Sequence, residues 1–326
     1  MEIEKFREKF TALLEKRLSF EEGKEFLSRL YQEGVNGEIL GEGAKIMRKF
    51  ARPFPLPQEL KNRVIDLVGT GGDKSGSFNI SSTSALAVSG AGGVVVKHGN
   101  RSVTSRSGSA DMLEKLGVNL SPSVQLKMVE KVRFAFLFAP NYHPAMAHIM
   151  PIRKSLPHPT IFNLLGPLVN PANPPYYLLG VYSRNLLDPM AVALQKLGIK
   201  RGLVVSSYDG LDELSISAPT EARLVTPSSI ETLVIEPTAY GVSGKREGVK
   251  GGDAQFNSRL AAAILKGEER GDPLKAVLLN GGVALWVAEV VGSIGEGIEM
   301  LREKIEKGEI GDHLERVIKV SEELNE

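Results

Sequence analysis

The stretch VIDLVGTGGD, residues 64–73, decides the fold class of this 326-residue chain. A short β-branched run, Val64–Val68, leads directly into a glycine-rich loop, and Val94–Val96 leads in the same way into KHGNRSVTS, residues 97–105. Each pattern predicts a strand whose carboxyl end opens into a loop, and α/β sheets bind ligands at that edge. The first loop offers backbone N–H groups, and the second offers cations, an amide and hydroxyls. We expect a site for a small, oxygen-rich anion.

Short apolar strands alternate with helices from residue 64 onward, which is typical of βαβ units and a mostly parallel sheet. The Ser- and Ala-rich run Asn79–Gly90 predicts a helix that packs closely on this sheet. Ser109 is predicted to cap a helix that Gly117 ends, and Ser121-Pro122 to begin another. Helices dominate after Asp253. The predicted strands are 64–68, 94–96, Phe134–Phe138, Tyr177–Val181 and Gly202–Ser206.

The first 50 residues predict a group of helices. Ser19-Phe-Glu-Glu22 fits a capping box, and the proline-rich segment 53–57 ends the helical run. We therefore assign residues 1–63 to a small helical domain and residues 64–326 to a larger α/β domain. The predicted apolar faces are Phe6, Phe10, Leu13 and Leu14 in the first helix, and Ile39, Ile46 and Met47 in the third.

Residues 151–176 contain seven prolines and few periodic signals. We expect this segment to cross between the two domains and to complete the small domain in part. Its composition favours a hinge over a part of the core.

Composition limits the function. Lys and Arg number 40 against 39 Asp and Glu, so the net charge of +1 provides no global field for nucleic acid. With no cysteine, disulfides and thiolate metal sites are excluded. No stretch approaches the roughly 20 apolar residues of a membrane span, and the N-terminus lacks an apolar signal core. We expect a soluble, cytoplasmic protein.

Carboxylates and hydroxyls accompany both the glycine loop and the strand at 202–206. Asp73 would repel a phosphate unless it binds a metal ion or sugar hydroxyls, and Asn79-Ile-Ser-Ser82 either caps its helix or offers a hydroxyl to Mg²⁺ or a phosphate. Asp212 and Glu213 repel each other. Their place after the turn Tyr208–Gly210 suggests a hard cation such as Mg²⁺, with an exposed acidic turn as the alternative.

Two cations suit anionic groups of different shape. Lys97 supplies a point charge for a phosphate, unless its loop is only a solvated surface. Arg153 stands between a predicted helix at His143-Pro-Ala-Met146 and the proline-rich crossing, and its fork can bind a carboxylate bidentately. A surface arginine is the alternative.

Seven motifs in order resemble those of the anthranilate phosphoribosyltransferase family, and they span nearly the whole chain. They are Gly69-Thr-Gly-Gly-Asp73, Phe78-Asn-Ile-Ser81, Lys97-His-Gly-Asn-Arg101, Ser107-Gly-Ser-Ala-Asp111-Met-Leu-Glu-Lys-Leu-Gly117, His143-Pro-Ala-Met146, Phe162-Asn-Leu-Leu-Gly-Pro167 and Asp212-Glu213. The resemblance implies the class II nucleoside phosphorylase fold, with a small helical domain, a larger α/β domain and the site between them. It also implies a homodimer formed through the helical domain.

The implied reaction transfers 5-phosphoribosyl from phosphoribosyl pyrophosphate to the amine of anthranilate with Mg²⁺, in tryptophan biosynthesis. Lys97, Asp212 and Glu213 would be catalytic, with Ser81, Asp212 and Glu213 as metal ligands. Gly69, Asn100 and Arg153 would meet anthranilate. Phosphoribosyl pyrophosphate would be bound by Gly69, Gly72, Asp73, Ser77, Asn79, Ile80, Ser81, Ser82, Lys97, His98, Gly99, Asn100, Arg101, Ser102, Val103, Thr104, Ser105 and Ser109.

The chain departs from the family pattern after Arg153. Where the family reads roughly Glu-Leu-Gly-x-Arg-Thr, this chain reads Ser155-Leu-Pro-His-Pro-Thr160. A stiffer and less charged loop leaves a different aromatic amine as an alternative acceptor. Ser77 and Ser82 stand where Thr is common and keep the hydroxyl.

Two further functions are weighed against transfer to an amine. A nucleoside phosphorylase of the same fold would not need the loop at Lys97 or the Asp212-Glu213 pair, because free phosphate requires no bound metal. A non-catalytic nucleic-acid-binding relative would need a basic stripe, which the balanced charge disfavours.

Overall fold

The structure, a computed structural model, describes residues 1–102 and 106–324. It begins with three helices, α1 (Ile3–Leu14), α2 (Phe20–Glu33) and α3 (Gly37–Phe50), and a short α4 (Gln58–Lys61) follows the proline-rich segment. The predicted capping box is confirmed: the Glu22 N–H donates to Ser19 Oγ at 3.3 Å, and the Glu22 carboxylate accepts from the Ser19 N–H at 2.8 Å. The predicted apolar faces of α1 and α3 are buried.

A seven-stranded sheet has the order β3-β2-β1-β4-β5-β6-β7. Pairs from β3 to β5 are parallel, and β6 and β7 are antiparallel. The chain order reverses between β1 and β4, so loops leave their carboxyl ends in opposite directions and open a crevice. The strands are β1 (Val64–Gly69), β2 (Val94–Gly99), β3 (Phe134–Phe138), β4 (Tyr176–Gly180), β5 (Arg201–Ser207), β6 (Thr220–Val225) and β7 (Ile230–Ile235).

The fold class predicted from the sequence is confirmed, and all five predicted strands are present. The fourth strand lies one residue earlier than expected. The antiparallel pair β6 and β7 was not predicted, because only part of β6 is buried and β7 is largely exposed, so neither six-residue strand forms an apolar run.

Helices cover both faces of the sheet. The larger core lies between one face and α5–α7 with α12–α15, and the second core joins α1–α3 to α9–α11 and the other face. No helix within the described residues is both long and apolar enough to cross a bilayer. The remaining helices are α5 (Ile80–Gly90), α6 (Ser109–Lys115), α7 (Pro122–Val132), α8 (Ala139–Tyr142), α9 (Met146–Lys154), α10 (Phe162–Leu165), α11 (Leu187–Lys196), α12 (Ala254–Leu265), α13 (Asp272–Val287), α14 (Ile294–Glu306) and α15 (Glu309–Glu323).

The proline-rich segment 151–176 is part of the core, so the expectation of a hinge instead of core was wrong in that respect. Ile152, Phe162, Leu165 and Leu168 are buried in the same cluster as α1–α3. Prolines do not prevent this packing, because Pro151 sits in α9 and Pro167 in a short 3₁₀ turn that follows α10. The division of the chain at residues 63 and 64 stays a prediction.

Three local predictions need correction. Ser109 is the first residue of α6 and Gly108 precedes it as the cap position, so Ser109 does not cap the helix. The helix expected from Asn79 begins at Ile80. His143 precedes α9, and Arg153 lies within the last turn of α9 instead of after a helix at residues 143–146.

The imidazole of His313 gives the fold a dependence on pH. His313 on α15 is 5% exposed, and its Nε2 lies 2.8 Å from Ser89 Oγ of α5. Burial, with the charges of Arg316 and Arg133, lowers the pKa of His313 to about 4. The unfolded chain therefore takes up a proton below pH 6.5 that the folded chain excludes.

We expect the free energy of unfolding to fall as the pH falls from about 6.5 to about 4, by on the order of 3 kcal/mol for this histidine alone. His313→Gln should reduce that dependence, because glutamine does not titrate. Urea denaturation at a series of pH values measures it. At pH 8 the side chain at this position is neutral in both proteins. The difference in their free energies of unfolding at that pH therefore gives the cost of the substitution itself. Equal pH dependence of the two proteins would contradict the assignment.

Candidate active site

The loop between β5 and β6 folds back over the carboxyl ends of β1 and β4, where the strand order reverses. A Cβ placed on Gly180 at the end of β4 would lie 1.6 Å from the Asp212 carbonyl oxygen, and one on Gly69 would lie 2.8 Å from Asp212 Oδ2. A side chain at Gly180 would overlap the Asp212 backbone, and one at Gly69 would press against the Asp212 carboxylate. The two glycines therefore bring the acidic loop to the predicted ligand edge of the sheet.

Three carboxylates meet there, from Asp73, Asp212 and Glu213. The Gly71 N–H donates to Asp212 Oδ2 at 2.8 Å, the Ser75 N–H donates to Asp73 Oδ1 at 3.1 Å, and the Ser81 N–H donates to Glu213. Burial, with the charge of Asp73, raises the pKa of Asp212 to about 7. Burial, with the charge of Asp212, raises the pKa of Glu213 to about 8.

The Lys97 amine is the cation nearest to this cluster, but it is buried within the protein. Its Nζ donates to the Leu67 carbonyl and, at 3.1 Å, to Ser81 Oγ at the start of α5. Burial lowers the pKa of Lys97, and the charges of Asp66, Glu213 and Asp212 oppose that shift. Lys97 lies in β2, two residues before the end of the strand. Its buried amine therefore opposes the charge of the carboxylates from within the protein.

The loop and first turn between β1 and α5 add polar atoms to the same edge. Asp73 Oδ2 and Ser82 Oγ are buried and have no hydrogen-bond partner among the described residues. Asn79 is held by Ser107, whose hydroxyl donates to Asn79 Oδ1 at 3.1 Å. Gly72 adopts a positive φ of 85°, Ser77 pairs with Lys250 in an isolated bridge, and Ile80 is buried in the core.

The side chains of His98 and Arg101 are engaged elsewhere. Successive residues of a strand face opposite sides, so His98 points away from the face that holds the Lys97 amine. Its Nε2 lies 3.2 Å from Nε2 of His143, and burial lowers the pKa of His98 to about 3. Arg101 pairs with Asp111 at 2.9 Å and Glu114 at 2.6 Å on the surface.

Two hydrogen bonds join the residues that follow β2 to the first turn of α6. Ser109 Oγ donates to the Asn100 carbonyl at 3.2 Å, and the Ser102 N–H donates to Asp111 at 3.1 Å. Gly99 ends β2, where a Cβ would lie 2.4 Å from Ser109 Oγ. The predicted ligand residues Val103, Thr104 and Ser105 lie outside the described residues.

Arg153 lies in the last turn of α9, among neutral groups. Its guanidinium contacts Asn163 Oδ1 at 3.4 Å, Met150 Sδ at 3.5 Å and the face of the Phe162 ring. Burial lowers its pKa. None of these contacts joins it to the carboxylate cluster. Arg153 has no carboxylate partner among the described residues, so its charge is suited to an anionic ligand.

The loop after Arg153 is held against α2. The His158 ring stacks on Tyr31 with centroids 4.1 Å apart, and its Nε2 lies 3.3 Å from Ser28 Oγ. The departure from the family pattern at Pro157-His158-Pro159 therefore coincides with a contact to the N-terminal helices.

Asp209 was missed by the sequence reasoning. Its carboxylate accepts hydrogen bonds from Ser207, from Ser215 at 2.7 Å and from Ser217 at 2.6 Å, and it pairs with Arg246 at 3.1 Å. These bonds hold the loop that carries Asp212 and Glu213. The serines at 207, 215 and 217 around the turn were the available signal.

Comparison with known proteins gives a consistent result. The family model "Glycosyl transferase family, a/b domain" matches residues 61–310. The anthranilate phosphoribosyltransferase of Rubrobacter xylanophilus is 43% identical over 290 residues, which cover 88% of this chain and 83% of that protein. The one from Persephonella marina is 39% identical over 320 residues, covering 97% and 94%.

Solved structures agree with the sequence relatives. The crystal structure of anthranilate phosphoribosyltransferase from Thermus thermophilus superposes with a TM-score of 0.91 at 39% identity, covering 99% of this chain and 96% of that chain. The enzyme from Saccharomyces cerevisiae in complex with PRPP and Mg gives a TM-score of 0.83 at 29% identity, covering 96% and 91%.

The contact between Gly180 and Asp212 can be tested by one methyl group. Gly180→Ala must displace the acidic loop or strain β4, so we expect a loss of about 1–3 kcal/mol in the free energy of unfolding. Gly166→Ala is the matched control, because a Cβ at Gly166 meets nothing within 4 Å. Urea denaturation measures both. Equal stability of the two variants would refute the close approach.

Proposed function

The chain belongs to the anthranilate phosphoribosyltransferase family, and we propose that it transfers the 5-phosphoribosyl group of phosphoribosyl pyrophosphate to the amine of anthranilate. The products are N-(5-phosphoribosyl)anthranilate and pyrophosphate, in tryptophan biosynthesis. The observation that carries the proposal is the cluster of Asp73, Asp212 and Glu213 beside Lys97, at the point where the strand order reverses. Such a cluster suits a donor that arrives as a metal complex of a polyphosphate.

We propose that the donor binds along the loops that follow β1 and β2. Gly69 and Gly72 would let the donor approach the backbone closely, Gly71 and Gly72 hold positive φ angles, and the Gly71 N–H donates to Asp212 Oδ2. Asn79, Ser81 and Ser82 add short polar side chains at the start of α5. The remaining donor residues are those predicted from the family motifs, Lys97–Ser105 and Ser109, of which His98 and Arg101 would contribute backbone groups, because their side chains are held by His143 and by Asp111 and Glu114.

The described residues contain no group of three or more acidic or histidine side chains that could hold a metal ion, so a Mg²⁺ site would use the Ser81 hydroxyl beside Asp212 and Glu213. Asp73 Oδ2 is buried without a partner among the described residues, and burial, with the charges of the neighbouring acids, raises the pKa values of Asp212 and Glu213. We propose Ser81, Asp212 and Glu213 as the residues that hold Mg²⁺, with Asp73 close by. When bound, the ion would stabilise negative charge on the departing pyrophosphate.

The acceptor would be oriented by Arg153. Its guanidinium fork lies among neutral groups, and a planar fork binds a carboxylate through two parallel hydrogen bonds. Gly69 and Asn100 complete the proposed acceptor contacts. An aromatic amine keeps its lone pair free at neutral pH, so this assignment requires no general base.

The reaction breaks the bond between the anomeric carbon and pyrophosphate and forms a bond from that carbon to the amine nitrogen, which then releases one proton to the solvent. Positive charge develops on the ribosyl group, so catalysis depends on neutralising the leaving group and aligning the amine. Lys97 supplies a fixed positive charge behind Ser81, where it balances the carboxylates. The glycine loop holds the donor close to the sheet edge.

We also propose a cytoplasmic homodimer formed through the helical domain, with no nucleic-acid or membrane partner. This part rests on the family resemblance and on the balanced composition.

Fluorescence provides the first test. Anthranilate mixed with the protein, phosphoribosyl pyrophosphate and Mg²⁺ should lose its fluorescence as product forms, and EDTA should stop the loss. If anthranilate persists while phosphoribosyl pyrophosphate still binds, the acceptor is a different aromatic amine, and the loop at Pro157–Pro159 is where the difference lies. Absence of both binding and turnover would overturn the proposal.

Arg153→Ala should raise the KM for anthranilate by about tenfold to a hundredfold, because a charge-assisted pair is lost. The KM for phosphoribosyl pyrophosphate should change little. Lys154→Ala is the control, since it removes a neighbouring exposed cation from the same helix. Steady-state kinetics with each substrate varied in turn separate the two effects. An unchanged anthranilate KM in Arg153→Ala would remove Arg153 from the acceptor site.

A further inference from the structure

Two buried asparagines on the C-terminal helices contact the donor site from behind. Asn257 lies in the first turns of α12 and Asn280 in the middle of α13, with exposed fractions of 2% and 1%. Burying an amide costs free energy unless its polar atoms find partners. Asn257 bonds Asn79, at the end of the loop after β1, and Asn280 bonds Leu214, which follows Glu213 in the acidic loop.

Asn257 fixes the side chain of Asn79. Its Nδ2 donates to Asn79 Oδ1 at 2.9 Å, and its own Oδ1 accepts from the Gly252 N–H at 2.8 Å. Asn79 Oδ1 also accepts from Ser107 Oγ, while Asn79 Nδ2 donates to the Ser107 carbonyl at 3.2 Å. The two donors on Oδ1 set the orientation of the Asn79 amide. One of its N–H bonds has no partner among the described residues and is available to a ligand oxygen.

Asn280 fixes the backbone of Leu214, the residue that follows Glu213. Its Oδ1 accepts from the Leu214 N–H at 3.0 Å, and its Nδ2 donates to the Leu214 carbonyl at 2.9 Å. The same Nδ2 donates to the Ala276 carbonyl at 2.9 Å, which ties the side chain to its own helix. The Asn280 amide pairs with both the N–H and the carbonyl of Leu214, as a neighbouring strand would. It therefore holds the backbone directly after Glu213 in place.

We propose that Asn257 and Asn280 are positioning residues for donor binding, holding Asn79 and the Asp212-Glu213 loop from two different helices. This inference rests on the proposed function, because it takes these two elements as the donor site. Neither asparagine touches the reacting atoms. Their effect is on the geometry of the groups that do, and small displacements of such groups reduce binding and rate together.

Gln125 offers a matched control. It is a fully buried amide on α7 whose side chain bonds only backbone groups, the Phe136 N–H at 2.8 Å and the carbonyls of Asn119 and Ser121 at 2.8 and 3.1 Å. None of these partners belongs to the predicted site. Asn257→Leu, Asn280→Leu and Gln125→Met each remove an amide while keeping the approximate volume.

Calorimetric titration with phosphoribosyl pyrophosphate in the presence of Mg²⁺, thermal unfolding and steady-state kinetics test the proposal. We expect both asparagine variants to raise the Kd and the KM for phosphoribosyl pyrophosphate by about tenfold or more, while the KM for anthranilate stays within about twofold. Gln125→Met should lower the melting temperature and leave donor affinity unchanged. If all three variants lose stability alike and bind the donor like the unaltered protein, the asparagines are structural only and the proposal is wrong.

A second pair of variants covers the case in which the leucine variants do not fold. Asn257→Asp keeps the shape but presents an acceptor to Asn79, so the Asn79 amide must turn over to pair with it and donor affinity should fall. Asn280→Asp loses the donor to Leu214 and should weaken the donor complex in the same way. Unchanged donor affinity in both would overturn the inference. Failure of the unaltered protein to bind phosphoribosyl pyrophosphate would instead reject the proposed function.

Discussion

The acidic loop between β5 and β6 can reach the centre of the sheet only because β4 ends in glycine. The Asp212 carbonyl occupies the space that a Cβ of Gly180 would need, and Asp212 Oδ2 lies against Gly69 at the end of β1. From this contact the rest of the site follows: Asp212 accepts from the Gly71 N–H, and Glu213 accepts from the Ser81 N–H. A topology that reverses at β1 and β4 provides the crevice, and the two glycines let a third loop enter it.

The fold was predictable where a local signal coincided with burial. β1 and β2 are β-branched runs at the centre of the sheet, and the capping box at Ser19 satisfies backbone groups within one turn. β6 and β7 were not predicted because they lie towards one edge of the sheet, with β7 as the edge strand, and partly exposed or polar residues interrupt the apolar pattern of both. The prolines of segment 151–176 predicted a hinge. Apolar residues between them, such as Phe162 and Leu165, instead fill the second core.

The types of site residue were predictable, but their partners were not. Period-two alternation alone implies that Lys97 and His98 face opposite sides of β2, so their shared motif could not place both side chains at one ligand. The acids that hold Arg101 are separated from it by ten and thirteen residues, and they meet it only because α6 packs beside the loop. Asn257 and Asn280 carry no sequence signal at all, because an asparagine in an apolar helix reveals its partner only after the helix is packed.

Polar contacts also tie α3 and the proline-rich segment to the sheet, and they set geometry more than stability. Asp66 on β1 is buried beside Asn170, whose Nδ2 donates to it at 2.8 Å and to the Val96 carbonyl at 2.8 Å. Burial raises the pKa of Asp66 to about 7, so its ionised form is destabilised there. Arg48 of α3 donates to the Leu168 carbonyl at 2.9 Å and to the Tyr177 hydroxyl at 3.0 Å. Apolar side chains at these positions would be buried at a lower cost in free energy, but they would not fix the relative orientation of the segments as directional hydrogen bonds do. These bonds hold the segment that follows Arg153 in a fixed position against the sheet. The proposed acceptor residue Arg153 therefore keeps a fixed position relative to the donor loops.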